Sequence, residues 1–178
     1  ELGHHWIGAE TPLVTIVEFS DYECPHCRKA HKKTRMLAAK YAKEVRLYHR
    51  HLPLDRACHP KLRGEFHRYA CHFAEAAECA GEQGEFWKMN DALFSIQNEV
   101  KSRNVNVERL AVMIGLDLSR FQQCMVNGRA KKRIDEDLDT AIKRRIRGTP
   151  TFFVNNKKYV GNVPETKITQ MLGIEEER

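Results

Sequence analysis

The sequence predicts an α/β domain that is interrupted by a block of helices. A nearly continuous apolar run at residues 13–19, followed by an amphipathic segment, is typical of a central strand that leads into a helix. Between residues 66 and 146 the apolar residues follow helical spacing. A β-branched and aromatic run then returns at residues 151–154. This order favours a helical insertion, residues 63–146, within an α/β domain made of residues 1–62 and 147–178.

The first α/β part is expected to contain two strands and one helix. Proline cannot donate the hydrogen bond that a sheet interior requires, so Pro53 ends the second strand. The expected elements are an irregular lead-in at residues 1–12, a strand at 13–19, a helix at 28–41, a strand at 45–52 and a loop at 54–64.

The helical block divides at its glycines, and a hairpin follows it. Gly81 and Gly84 interrupt the first helix, and Asn106 is suited to cap the third. The expected helices span residues 66–80, 85–96, 107–114, 118–126 and 130–146. They are followed by strands at 151–154 and 158–160, a helix at 166–172 and an acidic tail at 174–178.

Composition describes a soluble globular protein. The 178 residues are 42% hydrophobic and 30% charged, and no apolar stretch reaches membrane-spanning length. The net charge of +6 comes from Lys and Arg scattered among 24 acids, which does not indicate nucleic-acid binding. No signal peptide is visible at the start, so we expect a mature form or an excised domain.

The motif Cys24-Pro25-His26-Cys27 lies between the first strand and the first helix. Pro25 suits the first helical turn, which places the Cys24 sulfur beside unpaired N–H groups at the positive end of the helix dipole. Such a site favours the thiolate, which is the nucleophile of disulfide exchange. The Cys27 thiol lies one turn away, so the spacing predicts a redox-active pair.

Two other uses of this spacing are half of a zinc site and a structural disulfide. A zinc site needs two further ligands at suitable spacing, and His49, His51 and His59 are the candidates. The sequence contains no second C-x-x-C pair. We therefore favour redox chemistry and expect neither a metal nor another cofactor.

Glu18 is an acid inside the first strand, six residues before Cys24. It could occupy an edge position that points to water. Alternatively it is a buried carboxyl below the disulfide that passes a proton during exchange. We favour the second interpretation, because perturbed acids occur where burial meets a titrating thiol.

Four cysteines remain outside the motif: Cys58, Cys71, Cys79 and Cys124. In an oxidising compartment an even number suggests two structural disulfides, with three possible connectivities. Alternatively, some are buried thiols that pack as small apolar side chains. Eight helical residues separate the Cα atoms of Cys71 and Cys79 by about 12 Å, so these two cannot pair.

The chain resembles the DsbA-like branch of the thioredoxin superfamily from about residue 13 to residue 172. The resemblance rests on the Cys24–Cys27 motif after its strand, on Gly148-Thr149-Pro150 before the strand at 151–154, and on segments of the helical block such as residues 76–80 and 84–87. It implies a thioredoxin fold with an inserted helical domain.

The resemblance also implies roles for single residues. Cys24 is expected to be the exposed attacking cysteine and Cys27 the buried resolving one, with His26 stabilising the Cys24 thiolate. Pro150 is expected to be a cis-proline facing the disulfide. Glu18 would be the family's buried acid. Thr149, whose backbone would pair with substrate, is more like the isomerase branch and the Gram-positive homologues.

The cysteines outside the motif carry a second resemblance, to thioredoxin-like domains associated with VKOR-type quinone-linked enzymes. It lies in residues 54–60 and 69–71, and it implies that Cys58 pairs with Cys71. The loop that holds Cys58 leads directly to the helix that holds Cys71. We expect Cys79 and Cys124 to meet between helices of the insertion.

The resemblance implies a thiol–disulfide oxidoreductase outside the cytoplasm, in the periplasm or tethered to a membrane in a longer protein. It would donate disulfides to cysteine-containing unfolded or folding proteins, act as a monomer and be reoxidised by a quinone-linked membrane oxidase of the VKOR or DsbB type. A disulfide reductase or isomerase would use the same two thiols. A non-redox binding module or chaperone would keep the fold without needing both.

Overall fold

The structure, a computed structural model, describes residues 2–97 and 105–174. Residues 175–178 of the expected acidic tail lie outside that part of the chain. The described residues form one five-stranded sheet in the order β1-β3-β2-β4-β5. Its strands are β1 (His5–Gly8), β2 (Val14–Ser20), β3 (Val45–His51), β4 (Thr151–Val154) and β5 (Lys157–Val160).

Seven helices accompany the sheet in the described residues. Five of them, α2 to α6, lie between β3 and β4 in the chain, as the helical spacing predicts. The helices are α1 (Pro25–Lys40), α2 (Ala70–Gly81), α3 (Phe86–Ser95), α4 (Val107–Met113), α5 (Leu118–Asn127), α6 (Arg129–Lys143) and α7 (Glu165–Leu172). Within the described ranges, no helix is long and apolar enough to cross a membrane.

Strand β2 lies in the centre of the sheet, parallel to β3 and antiparallel to β4. Both of its faces are covered, which explains why its apolar residues are nearly continuous in sequence. The predicted fold class, an α/β thioredoxin-like fold with a helical insertion, is confirmed.

The irregular lead-in is a wrong prediction, because residues 5–8 form the edge strand β1, antiparallel to β3. Four residues are too few to show a strand pattern in sequence. The strand is held by long-range contacts instead. The Arg46 guanidinium lies 3.9 Å from the centre of the Trp6 ring and donates a 2.7 Å hydrogen bond to the carbonyl oxygen of Ala9.

Helix α2 begins four residues later than its apolar spacing predicts. Phe66 is 67% exposed and precedes the helix, although it continues the helical pattern of the sequence. Polar contacts hold this segment as a loop, since the His67 N–H donates to the carbonyl oxygen of Leu54 (3.1 Å) and the Tyr69 N–H donates to Glu23 Oε2 (2.6 Å). Periodicity alone could not show these competing partners.

The helical insertion and the sheet share one apolar core. One cluster of buried residues joins Phe19, Tyr48 and Phe153 of the sheet to residues of α2–α6 such as Met89 and Phe121. A second cluster packs α1 and α7 on the sheet. The insertion therefore does not fold around a core of its own, and the domain boundaries at residues 62 and 146 stay a prediction.

A buried carboxylate ties α2 to the sheet and to α6. Glu78 accepts hydrogen bonds from His5 Nε2 (3.0 Å), His51 Nε2 (2.9 Å) and Arg133 (3.0 Å). Burial disfavours its ionised form, but the two histidines outweigh burial and hold the pKa of Glu78 well below its usual range. Loss of one partner would leave a buried charge incompletely paired, which is strongly destabilising.

Two disulfides are present, Cys58–Cys71 and Cys79–Cys124. The first joins the loop before α2 to the first turn of α2, with Cα atoms 6.0 Å apart. The second joins α2 to α5, with Cα atoms 5.6 Å apart. The first therefore fastens the α/β part of the chain to α2, and the second fastens α5 to α2 within the helical insertion.

We expect the Cys79–Cys124 disulfide to contribute more stability than Cys58–Cys71. It closes a loop of 45 residues rather than 13, and a longer loop loses more entropy in the unfolded chain. Replacing Cys79 and Cys124 together with alanine should lower the free energy of unfolding by about 4 kcal/mol, against about 3 kcal/mol for the matched Cys58 and Cys71 pair. Urea unfolding of both double variants measures the difference, and the reverse order would contradict it.

Candidate active site

The first turn of α1 holds the Cys24 sulfur. Cys24 is the N-cap residue, with extended backbone (φ −76°, ψ 117°), and Pro25 is the first helical residue. The Cys24 sulfur accepts a 3.3 Å hydrogen bond from the backbone N–H of Cys27. The helix thus begins at Pro25, in agreement with the predicted place of Pro25 in the first helical turn, and it includes the three residues before the amphipathic segment at 28–41. The helix-start position of the Cys24 thiol is as predicted.

Two residues that the sequence analysis missed fix the backbone before α1. Asp21 accepts from the backbone N–H of Glu23 (2.7 Å) through Oδ1 and from that of Leu54 (2.6 Å) through Oδ2. Gln97 donates through Nε2 to the carbonyl oxygens of Tyr22 (2.8 Å) and Cys24 (2.9 Å). Asp21 could have been found as a turn-forming residue. Gln97 left no signal, because it is 73 residues away from Cys24.

The loop before β4 lies against the two thiols. The peptide bond between Thr149 and Pro150 is cis, and the carbonyl oxygen of Thr149 accepts a 3.5 Å hydrogen bond from the Cys24 thiol. Pro150 is buried and Thr149 is half-buried. The structure therefore brings together the two segments that the resemblance identified, which are 125 residues apart in sequence.

Cys24 is less exposed than expected. Its exposed fraction is 5%, and that of Cys27 is 0%; both are free thiols. The contact with Thr149 and the shared core of sheet and insertion cover the Cys24 side chain, which a sequence pattern cannot reveal. The expected order, with Cys27 deeper than Cys24, is present. A partner nevertheless has to displace covering groups to reach Cys24.

The two thiols have opposite electrostatic settings. The hydrogen bond with the Cys27 side chain outweighs burial and, together with the Thr149 side chain and the Cys27 N–H, lowers the pKa of Cys24 from 9.0 to about 6. Burial, and then the neighbouring Cys24, raise the pKa of Cys27 well above its usual value. At neutral pH the pair therefore holds one nucleophilic thiolate and one thiol.

Glu18 is buried in the middle of β2, with no exposed surface. The edge-position interpretation is wrong, because β2 is paired on both sides. Its Oε2 accepts a 3.4 Å hydrogen bond from Thr34 and lies 4.0 Å from His31 Nδ1. Both of these residues belong to α1. His31 lies four residues beyond Cys27, and Thr34 lies seven residues beyond it.

His26 is exposed on the first turn of α1. Among the contacts of the described residues, it makes no hydrogen bond with Cys24, and the causes that lower the pKa of Cys24 come from Cys27 and Thr149. The stabilising role of His26 therefore stays a prediction.

The three histidines considered as zinc ligands contact residues other than Cys24 and Cys27. Within the described residues, no group of three or more His, Cys, Asp or Glu side chains is placed to hold a metal ion. His51 bonds to Glu78, His49 stacks 5.7 Å from Tyr22, and His59 accepts from the Lys61 N–H.

Comparisons with known sequences place the chain beside one family. The family model described as Thioredoxin matches residues 1–173. Among curated proteins, the Na(+)/H(+) antiporter NhaA 3 of Salinispora tropica is 41% identical over 157 residues, which are 88% of this chain and 22% of that protein. The chain thus spans about a fifth of the length of the curated relatives it matches.

Two solved structures extend the comparison to the fold. A thioredoxin-like oxidoreductase from Silicibacter pomeroyi has 28% identity and a TM-score of 0.74, and the match covers 95% of this chain and 90% of that one. DsbA2 of Pseudomonas aeruginosa has 26% identity and a TM-score of 0.70, covering 97% and 93%. Both structures resemble this chain over nearly its whole length, helical insertion included.

We expect the Cys24 thiolate to titrate with a midpoint near pH 6, as measured by thiolate absorbance of the reduced protein. Thr149→Val keeps the side-chain shape and removes the hydroxyl, so it should raise that midpoint, because the Thr149 side chain is one of the groups that lower the pKa of Cys24. Thr169→Val on α7, which removes a hydroxyl that bonds to the carbonyl oxygen of Thr166, is the matched control and should leave the midpoint in place. A midpoint near 9 in the unmodified protein would contradict the site electrostatics.

Proposed function

Because this chain belongs to the thioredoxin family, and its Cys24–Cys27 pair lies where that fold holds reactive thiols, we propose that it is a protein disulfide oxidoreductase that donates disulfides to other proteins. The oxidised form would carry a bond between Cys24 and Cys27. The proposal has two parts. The disulfide-exchange chemistry is inferred from the family, and the direction of transfer, from this protein to its substrates, is inferred from the site.

The exchange has two steps. A substrate thiolate attacks Cys24 Sγ, the Cys24–Cys27 bond breaks, and Cys27 leaves as a thiolate that takes up a proton. A second substrate thiolate then attacks the substrate sulfur of the mixed disulfide and releases Cys24 as a thiolate. Two substrate thiols are oxidised to a disulfide, and the enzyme pair is reduced by two electrons.

The lowered pKa of Cys24 is the observation that supports disulfide donation. A hydrogen-bonded thiolate stabilises the reduced enzyme, and this makes the disulfide form a strong oxidant. The Cys27 N–H and thiol and the Thr149 side chain all act in that direction. A reductase or isomerase would instead need a less oxidising pair, so the reduction potential separates these functions.

Substrate would bind across the Thr149–Pro150 loop. The Thr149 carbonyl oxygen lies 3.5 Å from the Cys24 sulfur and accepts a hydrogen bond from it while Cys24 is protonated, so this backbone group faces the reacting sulfur. Once a substrate sulfur is bonded to Cys24, the Thr149 backbone becomes available to an extended substrate segment. We therefore assign to it the pairing of a short added strand.

The setting of this chemistry would be outside the cytoplasm, in the periplasm or at a membrane surface. Two structural disulfides besides the reactive pair are typical of an oxidising compartment. The match to part of a protein named as an antiporter favours a site close to a membrane. We assign unfolded or folding proteins with free cysteines as substrates and a quinone-linked membrane oxidase of the VKOR or DsbB type as the reoxidising partner, with the chain acting as a monomer.

The reduced protein should gain stability over the oxidised protein as pH rises. The folded pKa of Cys24 is depressed, so its contribution is full above about pH 9 and is lost as pH falls to about 6. At pH 7 it amounts to about 1 kcal/mol. Melting both forms across this range, alongside a glutathione titration of the reduction potential, measures the effect. Cys24→Ala, which cannot form the disulfide, should melt without the pH dependence that Cys24 gives to the reduced protein, and a constant gap between the two forms of the unmodified protein would argue against a donor.

The two cysteines should differ in trapping partners. Cys27→Ser should accumulate mixed disulfides through Cys24, because serine cannot supply the thiolate that resolves them. Cys24→Ser, the matched variant, should trap little, since Cys27 has no exposed surface. Non-reducing gels of both variants, produced in an oxidising compartment, show the result. A binding module or chaperone would give no difference between them.

A further inference from the structure

The buried face of α1 carries a row of polar groups behind the reactive pair. Cys27, His31 and Thr34 follow one another at steps of four and three residues, so they lie on the same face of the helix. All three are buried, with exposed fractions of 0%, 5% and 2%. Thr34 and His31 both face Glu18 on β2, which is itself fully buried.

His31 lies between two carboxylates. Its Nε2 donates a 2.7 Å hydrogen bond to Asp91 Oδ1 of α3, and its Nδ1 lies 4.0 Å from Glu18 Oε2. Nδ1 has no hydrogen-bond partner among the described residues, and neither has Glu18 Oε1. A small rotation of either side chain, or a bridging water, closes the 4.0 Å gap.

The other side of His31 opens to solvent. The Asp91 side chain is 45% exposed, and Arg35 holds it through two hydrogen bonds of 3.0 and 2.8 Å. His31 and Asp91 line a groove of about 550 Å³ between α1 and α3. His31 is therefore the group that touches both the buried acid and a solvent-filled surface.

The charges around His31 favour its protonated form. Burial lowers its pKa, but the hydrogen bond with Asp91 and the neighbouring Glu18 carboxyl group outweigh burial and raise it. Burial likewise opposes ionisation of Asp91, but His31 and Arg35 lower the pKa of Asp91 to about 2. Arg28 and Lys32 of α1 line the same groove as His31. His49 on β3 lies beside Glu18 in the sheet, and burial holds its pKa well below the usual value, so it is neutral.

We propose that His31 exchanges protons between the buried Glu18 and solvent in the α1–α3 groove, with Asp91 as the positioning residue that keeps the imidazole charged and oriented. Glu18 would otherwise be isolated, since no part of it is exposed. The proposal rests on the disulfide exchange proposed above and on the expected proton transfer between Glu18 and Cys27, and it adds the route between Glu18 and solvent.

The proton balance follows the sulfur chemistry. When substrate opens the Cys24–Cys27 disulfide, the Cys27 thiolate takes a proton from Glu18, and Glu18 recovers one from Nδ1 of the His31 imidazolium. The neutral ring then takes a proton from solvent in the groove. In the reverse direction, His31 first releases a proton to solvent and takes one from Glu18, and the Glu18 carboxylate then accepts the Cys27 proton as Cys27 attacks a mixed disulfide at Cys24.

The resolving step of the reverse reaction isolates this transfer. Reduced protein is mixed with saturating oxidised glutathione in a stopped-flow instrument, and the first-order release of glutathione by Cys27 is followed from about pH 5 to pH 9. The proton that leaves Cys27 is the only one that the protein moves in that step, because the released glutathione thiolate takes its proton from solvent. His31→Gln should slow it by about 100-fold, within the range of general acid–base catalysis. The equilibrium constant with glutathione should stay unchanged.

Chemical rescue separates proton transfer from a structural role. His31→Gly leaves a space that opens to the groove, and imidazole added in solution should restore the resolving rate in proportion to its concentration. His4→Gly is the matched control, because His4 makes a similar pair with Glu136 (3.2 Å) on an exposed surface. It should be as fast as the unmodified protein and insensitive to imidazole.

Each outcome decides the proposal. A His31→Gln variant with an unchanged rate and pH profile overturns it, and so does a slow His31→Gly variant that imidazole fails to restore. If His31→Gly does not fold, Asp91→Asn carries the test through a change at a half-exposed side chain. It should slow resolution by about tenfold and move the pH profile to lower pH, and no change would overturn the route. Absence of any exchange by the unmodified protein would instead refute the proposed function.

Discussion

The hydrogen bond from the Cys27 N–H to the Cys24 sulfur exists only while the first turn of α1 is held in place. Residues from distant parts of the chain contact this turn and hold it. Pro25 fixes the start of the helix, and Gln97 binds the carbonyl oxygen of Cys24 from the helical insertion. On the other side of this turn, the Thr149 carbonyl oxygen lies 3.5 Å from the Cys24 sulfur. A sulfur held among donors at a helix start is a better anion than a free thiol, so backbone geometry here sets chemical reactivity.

The helical insertion is part of the reactive site as well as a cover over the sheet. It shares a core with the sheet, and Glu78 joins it to β1, β3 and α6 through charge-assisted hydrogen bonds. It also supplies Gln97 to the backbone at Cys24 and Asp91 to His31. Loosening the insertion would therefore weaken both the thiolate's surroundings and the polar groups behind Cys27.

Burial has opposite consequences for the acids and bases of this site. Glu18 and Cys27 are fully covered, so their protons depend on neighbouring side chains. In the proposed route, His31 and Asp91 connect these buried groups to solvent in the α1–α3 groove. A disulfide enzyme can then keep its reacting sulfurs away from water while it still balances the proton that the resolving cysteine gains or loses.

Sequence by itself determined what depends on neighbours along the chain. Short-range patterns in the sequence predict the apolar run of β2, the C-x-x-C pair at a helix start and the five helices of the insertion. Tertiary structure decided the rest. Strand β1 depends on contacts of Arg46, and α2 starts late because the Tyr69 N–H bonds to Glu23. The contact that covers Cys24 with Thr149 and the hydrogen bond between His31 and Asp91 each join residues that are 60 or more positions apart. Such contacts leave no periodic signal, because each depends on where the whole chain brings one side chain.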